Sequence, residues 1–497
     1  VTPQAANKTM GQGGFQEVEQ MNLFKDMVCY QEEVRDPSRM AEVLNRVIEK
    51  AFRGSAPAQI NVPRDYWTQV IDIDLPPIVR FERQGGGKEA IEKAAKLLSD
   101  AKFPVILSGA GVVIGNAIDE CKKLAEKLDA PVCNGYQHND SFPGSHPLAV
   151  GPLGYNGSKA GMELISKADV VLALGTRLNP FSTLPGYGID YWPKDATIIQ
   201  VDMNPDRIGL TKKVTVGICG DAKMVSQQIL EKLSPTAGNN GRDERKNLIH
   251  QTKSAWLQTL TSLDHEDDDP GTVWNKEARE RDSDRMSPRQ AWRAIQAGMP
   301  DDVIISSDIG NNCAIGNAYP TFEKPRKYLA PGLFGPCGYG FPSILGAKIG
   351  CPDTPVIGFA GDGAFGISMN EMSSCAREEW PAITMVIFRN YQWGAEKRNS
   401  ILWFDDNFIG TELDPELSYA KVANACGLKG VAVKTMEETT KAIKQSCEDQ
   451  KKGITTFIEV ILNQELGEPF RRDAMKKPVQ VAGISKNDMK PQKSLSE

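Results

Sequence analysis

The sequence lacks the features that mark membrane, nucleic-acid-binding and disulfide-stabilised proteins. Its 497 residues contain no apolar run long enough to span a bilayer. The formal net charge is −6 and the basic residues are dispersed, so nothing predicts a nucleic-acid partner. The ten cysteines form no C-x-x-C pair, which argues against disulfides and zinc and favours a reduced cytoplasm. What remains is a globular composition in a chain too long for one core, and we expect about three domains.

One stretch in the last third of the chain has the pattern of a strand, a helix and a second strand. The apolar run from Pro355 to Ala360 predicts a buried strand that stops at Gly361-Asp362-Gly363. Apolar residues at helical spacing predict a helix from Ile367 to Glu379, and a second buried strand is expected from Ile383 to Phe388. The two glycines are expected to let the backbone turn sharply around the carboxylate.

Asp362 and Asn390 directly follow the two predicted strands. A strand, helix and strand of this length form a right-handed crossover, which places both residues at the carboxyl edge of a parallel sheet. Open α/β sheets bind ligands at that edge. One carboxylate and one amide oxygen provide part of a site for a hard cation such as Mg²⁺, which takes phosphate oxygens as further ligands. The alternative is that Gly-Asp-Gly is only a turn and Asn390 only a capping residue.

These residues resemble the diphosphate motif of thiamine-diphosphate enzymes. In that family the Asp, the Asn and a backbone carbonyl two residues later hold the metal, which implies Asp362, Asn390 and Gln392 as ligands and thiamine diphosphate with Mg²⁺ as cofactors. The family often has Asn-Asn where this chain has Arg389-Asn390, and the metal-binding Asn is retained. The resemblance implies an α/β fold of three doubly wound parallel-sheet domains. We expect the first to be incomplete and to lack the activating Glu, because Val1 reads as mid-domain sequence.

Two further segments resemble the cofactor site of the same family. Asp308-Ile-Gly-Asn-Asn312 has two asparagines where relatives contact the diphosphate. Gly335-Pro-Cys337 resembles the loop that bends the cofactor, with Cys337 in place of a larger wedge residue; the alternative for Cys337 is a buried apolar cysteine. The positions for which the resemblance implies cofactor binding are Asn311, Asn312, Gly335, Cys337, Gly361, Asp362, Gly363, Ala364, Asn390, Gln392, Trp393 and Gly394.

Polar and turn-rich stretches divide the chain. We expect the C-terminal half of a pyrimidine-binding domain at 1–80, a central α/β domain at 88–233, a linker at 234–285, a diphosphate- and Mg-binding domain at 286–470 and a C-terminal tail at 471–497. The acidic run Asp264–Asp269 is expected to be a solvated connector. In the central domain, Gly109–Gly115 is one residue too long for a dinucleotide fingerprint, so a structural role is favoured. His138 and His146 lie in a loop and are expected to be structural, with the alternative that this loop faces the active site.

Three segments resemble one branch of the family, which transfers an acetyl group to phosphate; they are Phe388–Ser400, Leu402–Phe408 and Glu468–Met475. The resemblance implies that sulfoacetaldehyde and phosphate are converted to acetyl phosphate and sulfite. Sulfonate and phosphate need cationic partners. Lys397 and Arg398 are the first candidates and Arg471 and Arg472 the second, with the alternative that both pairs face solvent.

Phe15 and Gln16 resemble a pair that lies near the substrate in the acetolactate synthase branch, with a turn and helix cap as the alternative. An acetolactate synthase-type carboligase that prefers pyruvate is the second enzyme hypothesis. A non-catalytic cofactor-binding subunit is the third. Because the family binds its cofactor between domains of two chains, the resemblance also implies a homodimer or homotetramer.

Overall fold

The computed structural model describes residues 1–77, 82–262, 271–403 and 408–466. The chain divides into two compact units at the boundary between Arg83 and Gln84. Within the described ranges, none of the helices has the length and apolar character that a bilayer crossing requires.

The first unit contains a three-stranded parallel sheet in the order β1-β3-β2. Its core forms where Val43 and Val47, on one face of helix α2, pack with Ile60 and Val62 of the sheet. A 3₁₀ turn, Pro37–Arg39, leads directly into α2. The elements are β1 (Thr2–Gln4), α1 (Gln20–Phe24), β2 (Tyr30–Glu33), α2 (Met40–Gly54) and β3 (Ala58–Pro63).

The second unit begins with a six-stranded parallel sheet in the order β6-β5-β4-β7-β8-β9. Its central strands β4 and β7 are buried along their whole length, as is usual in parallel sheets that helices cover on both faces. The elements are α3 (Lys88–Asp100), β4 (Pro104–Ser108), α4 (Ala110–Ile114), α5 (Ile118–Leu128), β5 (Val132–Asn134), β6 (Ala149–Pro152), α6 (Lys159–Ile165), β7 (Val170–Leu174), β8 (Thr197–Asp202), β9 (Val216–Cys219) and α7 (Ala222–Lys232).

Two helices follow, α8 (Arg242–Ser262) and α9 (Gly271–Arg281). Arg245 is 1% exposed and donates hydrogen bonds to backbone carbonyls of the central domain, including Asp129 at 2.9 Å and Leu128 at 3.0 Å. Trp256, further along α8, packs into the core of the third sheet. Helix α8 therefore joins the central sheet to the third sheet. The predicted acidic connector lies outside the described residues.

The third sheet also has six parallel strands, in the order β11-β10-β12-β13-β15-β14. Its first helix opens with a capping box formed by Ser287 and Gln290. The elements are α10 (Pro288–Gly298), β10 (Ile304–Ser307), α11 (Asn311–Ile315), β11 (Tyr328–Leu329), α12 (Gly340–Gly350), β12 (Val356–Gly361), α13 (Asp362–Ser368), α14 (Met372–Cys375), β13 (Thr384–Arg389), α15 (Gly394–Trp403), α16 (Tyr419–Ala425), β14 (Lys429–Val433), α17 (Met436–Gln450) and β15 (Thr456–Ile461).

Strand β13 illustrates that both faces of this sheet are covered by apolar side chains. Met385 and Ile387 pack into one apolar cluster, and the alternate residues Val386 and Phe388 pack into the cluster on the other face. The single helix predicted from Ile367 to Glu379 is wrong, since the segment forms the two short helices α13 and α14. The apolar spacing did not predict the first turn of α13, because the glycines in this turn have a low helix propensity. In the structure, the carboxylate of Asp362 at the N-terminus stabilises the helix.

Candidate active site

The carboxyl edge of the third sheet brings Asp362 and Asn390 together. Asp362 follows β12 and Asn390 follows β13, and these strands are parallel neighbours in which Gly361 pairs with Phe388. Both side chains are 1% exposed. The predicted crossover and the predicted edge position of both residues are thus present in the structure.

The Asp362 carboxylate is held by three donors. Its Oδ1 accepts the Gly363 amide at 3.0 Å, and its Oδ2 accepts the Tyr391 amide at 2.7 Å and Arg389 Nη1 at 3.1 Å. Burial raises the pKa of Asp362 to about 6, against the opposing charge of Arg389 and these hydrogen bonds. Oδ2 is therefore committed to the protein, and Oδ1 is the oxygen with capacity for a ligand.

Several buried amide atoms beside Asp362 make no hydrogen bond within the described residues. They are Asn390 Oδ1 and Nδ2, Gln392 Oε1, Asn311 Oδ1 and Asn312 Oδ1. Buried polar atoms are normally paired, and an unpaired one costs about 1–3 kcal/mol. A group of unpaired oxygens at one sheet edge is the arrangement that a bound cation and its polar ligand would satisfy. The residues present therefore fit a metal-bound diphosphate.

The described residues contain no cluster of three or more His, Cys, Asp or Glu side chains suited to a metal. This agrees with the composition of the predicted site, which has one carboxylate, one side-chain amide and one backbone carbonyl. Such a donor set suits a hard cation that keeps water and phosphate oxygens, and it does not suit zinc.

The two glycines around Asp362 do not provide the unusual backbone conformation that the sequence predicted for the turn. Gly361 has a φ of −71°, and neither it nor Gly363 has a positive φ, so the turn does not depend on glycine's conformational freedom. A Cβ at Gly363 would lie 2.8 Å from the ring of Trp393, whereas a Cβ at Gly361 would meet nothing within 4 Å. Gly363 is thus needed for close packing against Trp393. Ala364 is the next residue of α13 and is buried.

Asp308 is a site residue that the sequence analysis did not assign. It lies after β10, at the same edge of the sheet, and its carboxylate accepts the amides of Ile309 at 2.8 Å, Gly338 at 3.1 Å and Gly340 at 2.7 Å. Asp308 therefore fixes the glycine-rich loop predicted to bend the cofactor. Its position after the short apolar run Val303–Ile305 and two serines, at the end of a strand, is the signal that could have identified it.

The loop itself contains Gly335, with a φ of 62°, and Cys337. Cys337 is exposed, so the alternative of a buried apolar cysteine is wrong for this chain. Gly394, at the start of α15, lies beside Asn311, because a Cβ there would be 3.3 Å from the Asn311 Cβ. The structure thus brings the start of α11 next to the start of α15.

Arg389 is a second residue that the sequence analysis left without a role. It is buried, and besides Asp362 it faces Glu459, with Nε and Oε1 3.6 Å apart. Its Nη2 donates to the Leu417 carbonyl at 2.9 Å and also contacts the Asp414 carbonyl. Arg389 therefore connects the candidate metal carboxylate to the loop that precedes α16.

Lys397 and Arg398 lie on α15 and are 2% and 4% exposed, so the solvent-facing alternative is wrong for this pair. Lys397 pairs with Glu412 and lies 4.5 Å from the ring centre of Trp274. Arg398 donates to the hydroxyl of Tyr155, which belongs to the central domain. Both cations are therefore held inside the second unit, beside the predicted cofactor residues Gln392 to Gly394.

The remaining predicted residues are placed as follows. Phe15 is 83% exposed and Gln16 has a φ of 60°; both belong to the first unit. Arg471 and Arg472 lie outside the described residues. His146 faces Glu126 at 3.2 Å, and burial lowers the pKa of His138 to about 4. Neither histidine is among the residues at the Asp362 edge described above.

The glycines of the near-miss dinucleotide motif serve close packing. A Cβ at Gly109 would lie 2.5 Å from the Gly175 carbonyl oxygen, and a Cβ at Gly111 would lie 2.6 Å from the Gly175 Cα. The turn after β4 thus packs directly on the turn after β7. This contact supports the structural role expected for Gly109–Gly115.

Comparisons with known proteins agree with this architecture. Family models match residues 91–233 as "Thiamine pyrophosphate enzyme, central domain" and residues 308–460 as "Thiamine pyrophosphate enzyme, C-terminal TPP binding domain". The chain resembles the crystal structure of benzoylformate decarboxylase from Polynucleobacter necessarius with a TM-score of 0.72 and 20% identity, over 93% of this chain and 81% of that one. The latter likeness concerns the fold alone.

Curated relatives are much closer in sequence. A protein of Rhizobium meliloti named "Probable sulfoacetaldehyde acetyltransferase" is 78% identical, over 100% of this chain and 84% of that protein. The sulfoacetaldehyde acetyltransferase of Roseovarius nubinhibens is 75% identical, over 99% of this chain and 82% of that protein. By contrast, a probable acetolactate synthase large subunit of Methanococcus aeolicus is 28% identical, over 90% of this chain and 74% of that protein.

The fold and the polar cluster at Asp362 thus define an enzyme of the thiamine pyrophosphate class. Within that class, identities of 68–78% over nearly the whole chain place it in the family of the sulfoacetaldehyde acetyltransferases, to which it belongs.

Proposed function

We propose that the chain is an acetyltransferase that converts sulfoacetaldehyde and phosphate to acetyl phosphate and sulfite, using thiamine diphosphate and Mg²⁺. The observation that carries the cofactor assignment is the group of unpaired buried amide oxygens around Asp362. The substrate assignment is supported by relatives of that name at 45–78% identity, against 28% for the acetolactate synthase relative. The carboligase alternative is correspondingly disfavoured.

In this proposal Asp362 Oδ1, Asn390 Oδ1 and the Gln392 backbone carbonyl hold the metal. Asn311 and Asn312 orient the diphosphate, and Gly335 and Cys337 belong to the loop that contacts the rest of the cofactor. When bound, thiamine diphosphate supplies a carbon nucleophile and an electron sink for carbonyl chemistry. What supports the metal ligands is the free capacity of Asp362 Oδ1 together with the unpaired Asn390 side chain.

We propose that Lys397 and Arg398 supply positive charge to the two anionic substrates. Charges that are withdrawn from water act more strongly on a nearby anion than exposed ones, and both side chains are at most 4% exposed. Their helix α15 begins at Gly394, directly after the proposed metal ligand Gln392 and its neighbour Trp393. Phe15 and Gln16 of the first unit, and Arg471 and Arg472, remain further candidates for substrate contacts.

We further propose a homodimer or homotetramer, because closed symmetric assemblies are the usual form of soluble oligomers. A cytoplasmic location is supported by the ten cysteines, all of which are free. Light scattering on the purified protein would decide the oligomeric state.

The experiment that tests the function compares two substrates. In the full-length protein with thiamine diphosphate, Mg²⁺ and phosphate present, we expect sulfite to be released from sulfoacetaldehyde and no acetolactate to form from pyruvate. Arg398→Gln is expected to raise KM for sulfoacetaldehyde or phosphate by more than tenfold, with Arg377→Gln as the matched control on an exposed ion pair. Acetolactate formation without sulfite release would contradict the substrate assignment and leave the cofactor assignment in place.

A further inference from the structure

A cavity of about 150 Å³ lies between the central sheet and the third sheet, away from the Asp362 edge. Helix α8 contributes Lys253 and Trp256 to its lining, helix α10 contributes Arg293, and the segment after α11 contributes Tyr319. A single water needs about 10–15 Å³ of such space, so this cavity has room for a small molecule. None of the residues assigned above to the cofactor or to the substrates lines it.

The charge of the lining is of one sign. Lys253 and Arg293 are its ionisable side chains apart from the Tyr319 hydroxyl, and among the described residues that line it there is no carboxylate. Burial lowers the pKa of Lys253, and no described acidic group offsets that effect. The Lys253 ammonium has one neutral partner, the His146 carbonyl at 2.9 Å. Two cations that share a partly buried space without a counter-charge favour an anionic occupant.

A buried polar side chain gives independent evidence for a ligand. Tyr319 is 3% exposed, yet its hydroxyl has no hydrogen-bond partner of normal geometry within the described residues. Burial raises the pKa of Tyr319, while the charges of Arg289 and Arg293 and a loose hydrogen bond from Arg289 to the hydroxyl oxygen oppose that rise. The hydroxyl is therefore a neutral hydrogen-bond donor beside cationic groups. An oxyanion can accept hydrogen bonds from both kinds of donor.

Helix α10 contributes residues both to the cavity and to the surroundings of the proposed cofactor site. Trp292, the neighbour of Arg293, faces the apolar core between Phe359 and Phe388. Its indole nitrogen donates to the Asn312 carbonyl at 2.7 Å. Neither of the cofactor asparagines lines the cavity, so an occupant of the cavity is distinct from the diphosphate.

We propose that this cavity binds a small oxyanion of the phosphate class through Arg293, Lys253 and the Tyr319 hydroxyl. The inference does not depend on the proposed reaction, because it follows from the charge, the volume and the unpaired hydroxyl of the cavity. Phosphate and sulfite share this chemistry, and the experiment distinguishes them.

The test is a titration of the full chain with inorganic phosphate. Binding is measured by calorimetry and by the increase in the thermal unfolding temperature. We expect saturable binding that weakens at least tenfold in Arg293→Gln and several-fold in Tyr319→Phe. Tyr319→Phe removes an unpaired hydroxyl and is expected to fold as the parent does, so it keeps the test valid if Arg293→Gln does not fold. The matched control Arg377→Gln should bind phosphate as the parent does.

Asp362→Ala separates this proposal from the proposed function. It is expected to abolish the reaction and to leave the phosphate titration at the cavity unchanged. Parallel titrations with sulfite show which of the two anions the cavity prefers, because the preferred anion binds more tightly. The proposal would be overturned if phosphate did not bind, or if it bound equally to Arg293→Gln, Tyr319→Phe and the control. It would also be overturned if chloride at the same concentration gave the same signal.

Discussion

Arg389 and Asp362 form an ion pair in which both side chains are 1% exposed, with Nη1 and Oδ2 3.1 Å apart. Glu459, on the neighbouring strand β15, faces the same guanidinium, and its Oε2 accepts the Ser418 hydroxyl at 2.6 Å and the Ala420 amide at 3.1 Å. The guanidinium compensates two buried carboxylates, one of which is the proposed metal ligand.

Replacing Arg389 is therefore expected to destabilise the protein strongly. Arg389→Met leaves Asp362 and Glu459 without their cation in the interior, and removal of one partner of a buried pair costs about 3–5 kcal/mol. Denaturant unfolding of Arg389→Met and the parent, both without cofactor, measures this difference. Arg377→Gln, at an exposed pair, should change the free energy of unfolding by less than about 0.5 kcal/mol. An Arg389→Met protein as stable as the parent would show that the pair is not needed.

The two glycines around Asp362 should differ in their tolerance of a methyl group. Gly363→Ala forces the added Cβ against the Trp393 ring, and overpacking of this kind costs about 1–3 kcal/mol. Gly361→Ala meets open space at an ordinary φ of −71° and should be nearly neutral. Thermal unfolding of the two variants measures the difference. Equal destabilisation would mean that the turn depends on glycine's backbone freedom after all.

Asp308 is expected to position the glycine-rich loop. Asp308→Asn loses the charge that accepts the Gly338 and Gly340 amides, and we expect a cost of about 1–3 kcal/mol together with faster hydrogen exchange at these amides. Asp353→Asn, at an exposed position of the same domain, is the matched control. Unchanged exchange at Gly338 and Gly340 in Asp308→Asn would exclude the positioning role.

His138 should make stability fall in acid. Burial lowers its pKa in the folded chain to about 4, while the unfolded chain takes up the proton near the ordinary value of about 6.5. Between these values the unfolded state binds more protons, so stability decreases as the pH falls from about 6.5 to about 4, by roughly 1–3 kcal/mol. His138→Asn should remove this part of the pH dependence, and exposed His250→Asn should keep it. Urea unfolding at pH 7 and pH 5 provides the comparison.

The sequence predicted the site well where side-chain chemistry coincides with the end of an apolar run. Asp362 and Asn390 follow strands whose apolar patterns are unambiguous, so their shared edge could be inferred from the order of the residues alone. Strands β5 and β11 escaped notice because they are only three and two residues long. Helix α8 lies within the segment expected to be a linker, because its apolar face is narrow and packs through Trp256 against the core of the third sheet.

The contacts of charged residues could not be read from the sequence. Lys397 and Arg398 have the composition of a solvated helix surface, and only the long-range approach of Glu412 and Tyr155 makes them interior residues. Arg389 likewise finds its partners on three separate segments of the chain. Periodicity reports which face of an element is apolar, and it carries no information about partners from distant segments.

The central claim is that the Asp362 edge holds the metal-bound cofactor that performs the acetyl transfer. It is tested most directly by measuring sulfite and acetyl phosphate released from sulfoacetaldehyde by the parent and by Asp362→Ala, with Asp353→Ala as control. We expect the parent and the control to release sulfite and acetyl phosphate in equal amounts and at the same rate. In Asp362→Ala we expect product formation to fall by more than 10²-fold. We expect the same variant to lose the Mg²⁺-dependent quenching of tryptophan fluorescence by thiamine diphosphate. Undiminished product formation and cofactor binding in Asp362→Ala would contradict the assignment of this edge.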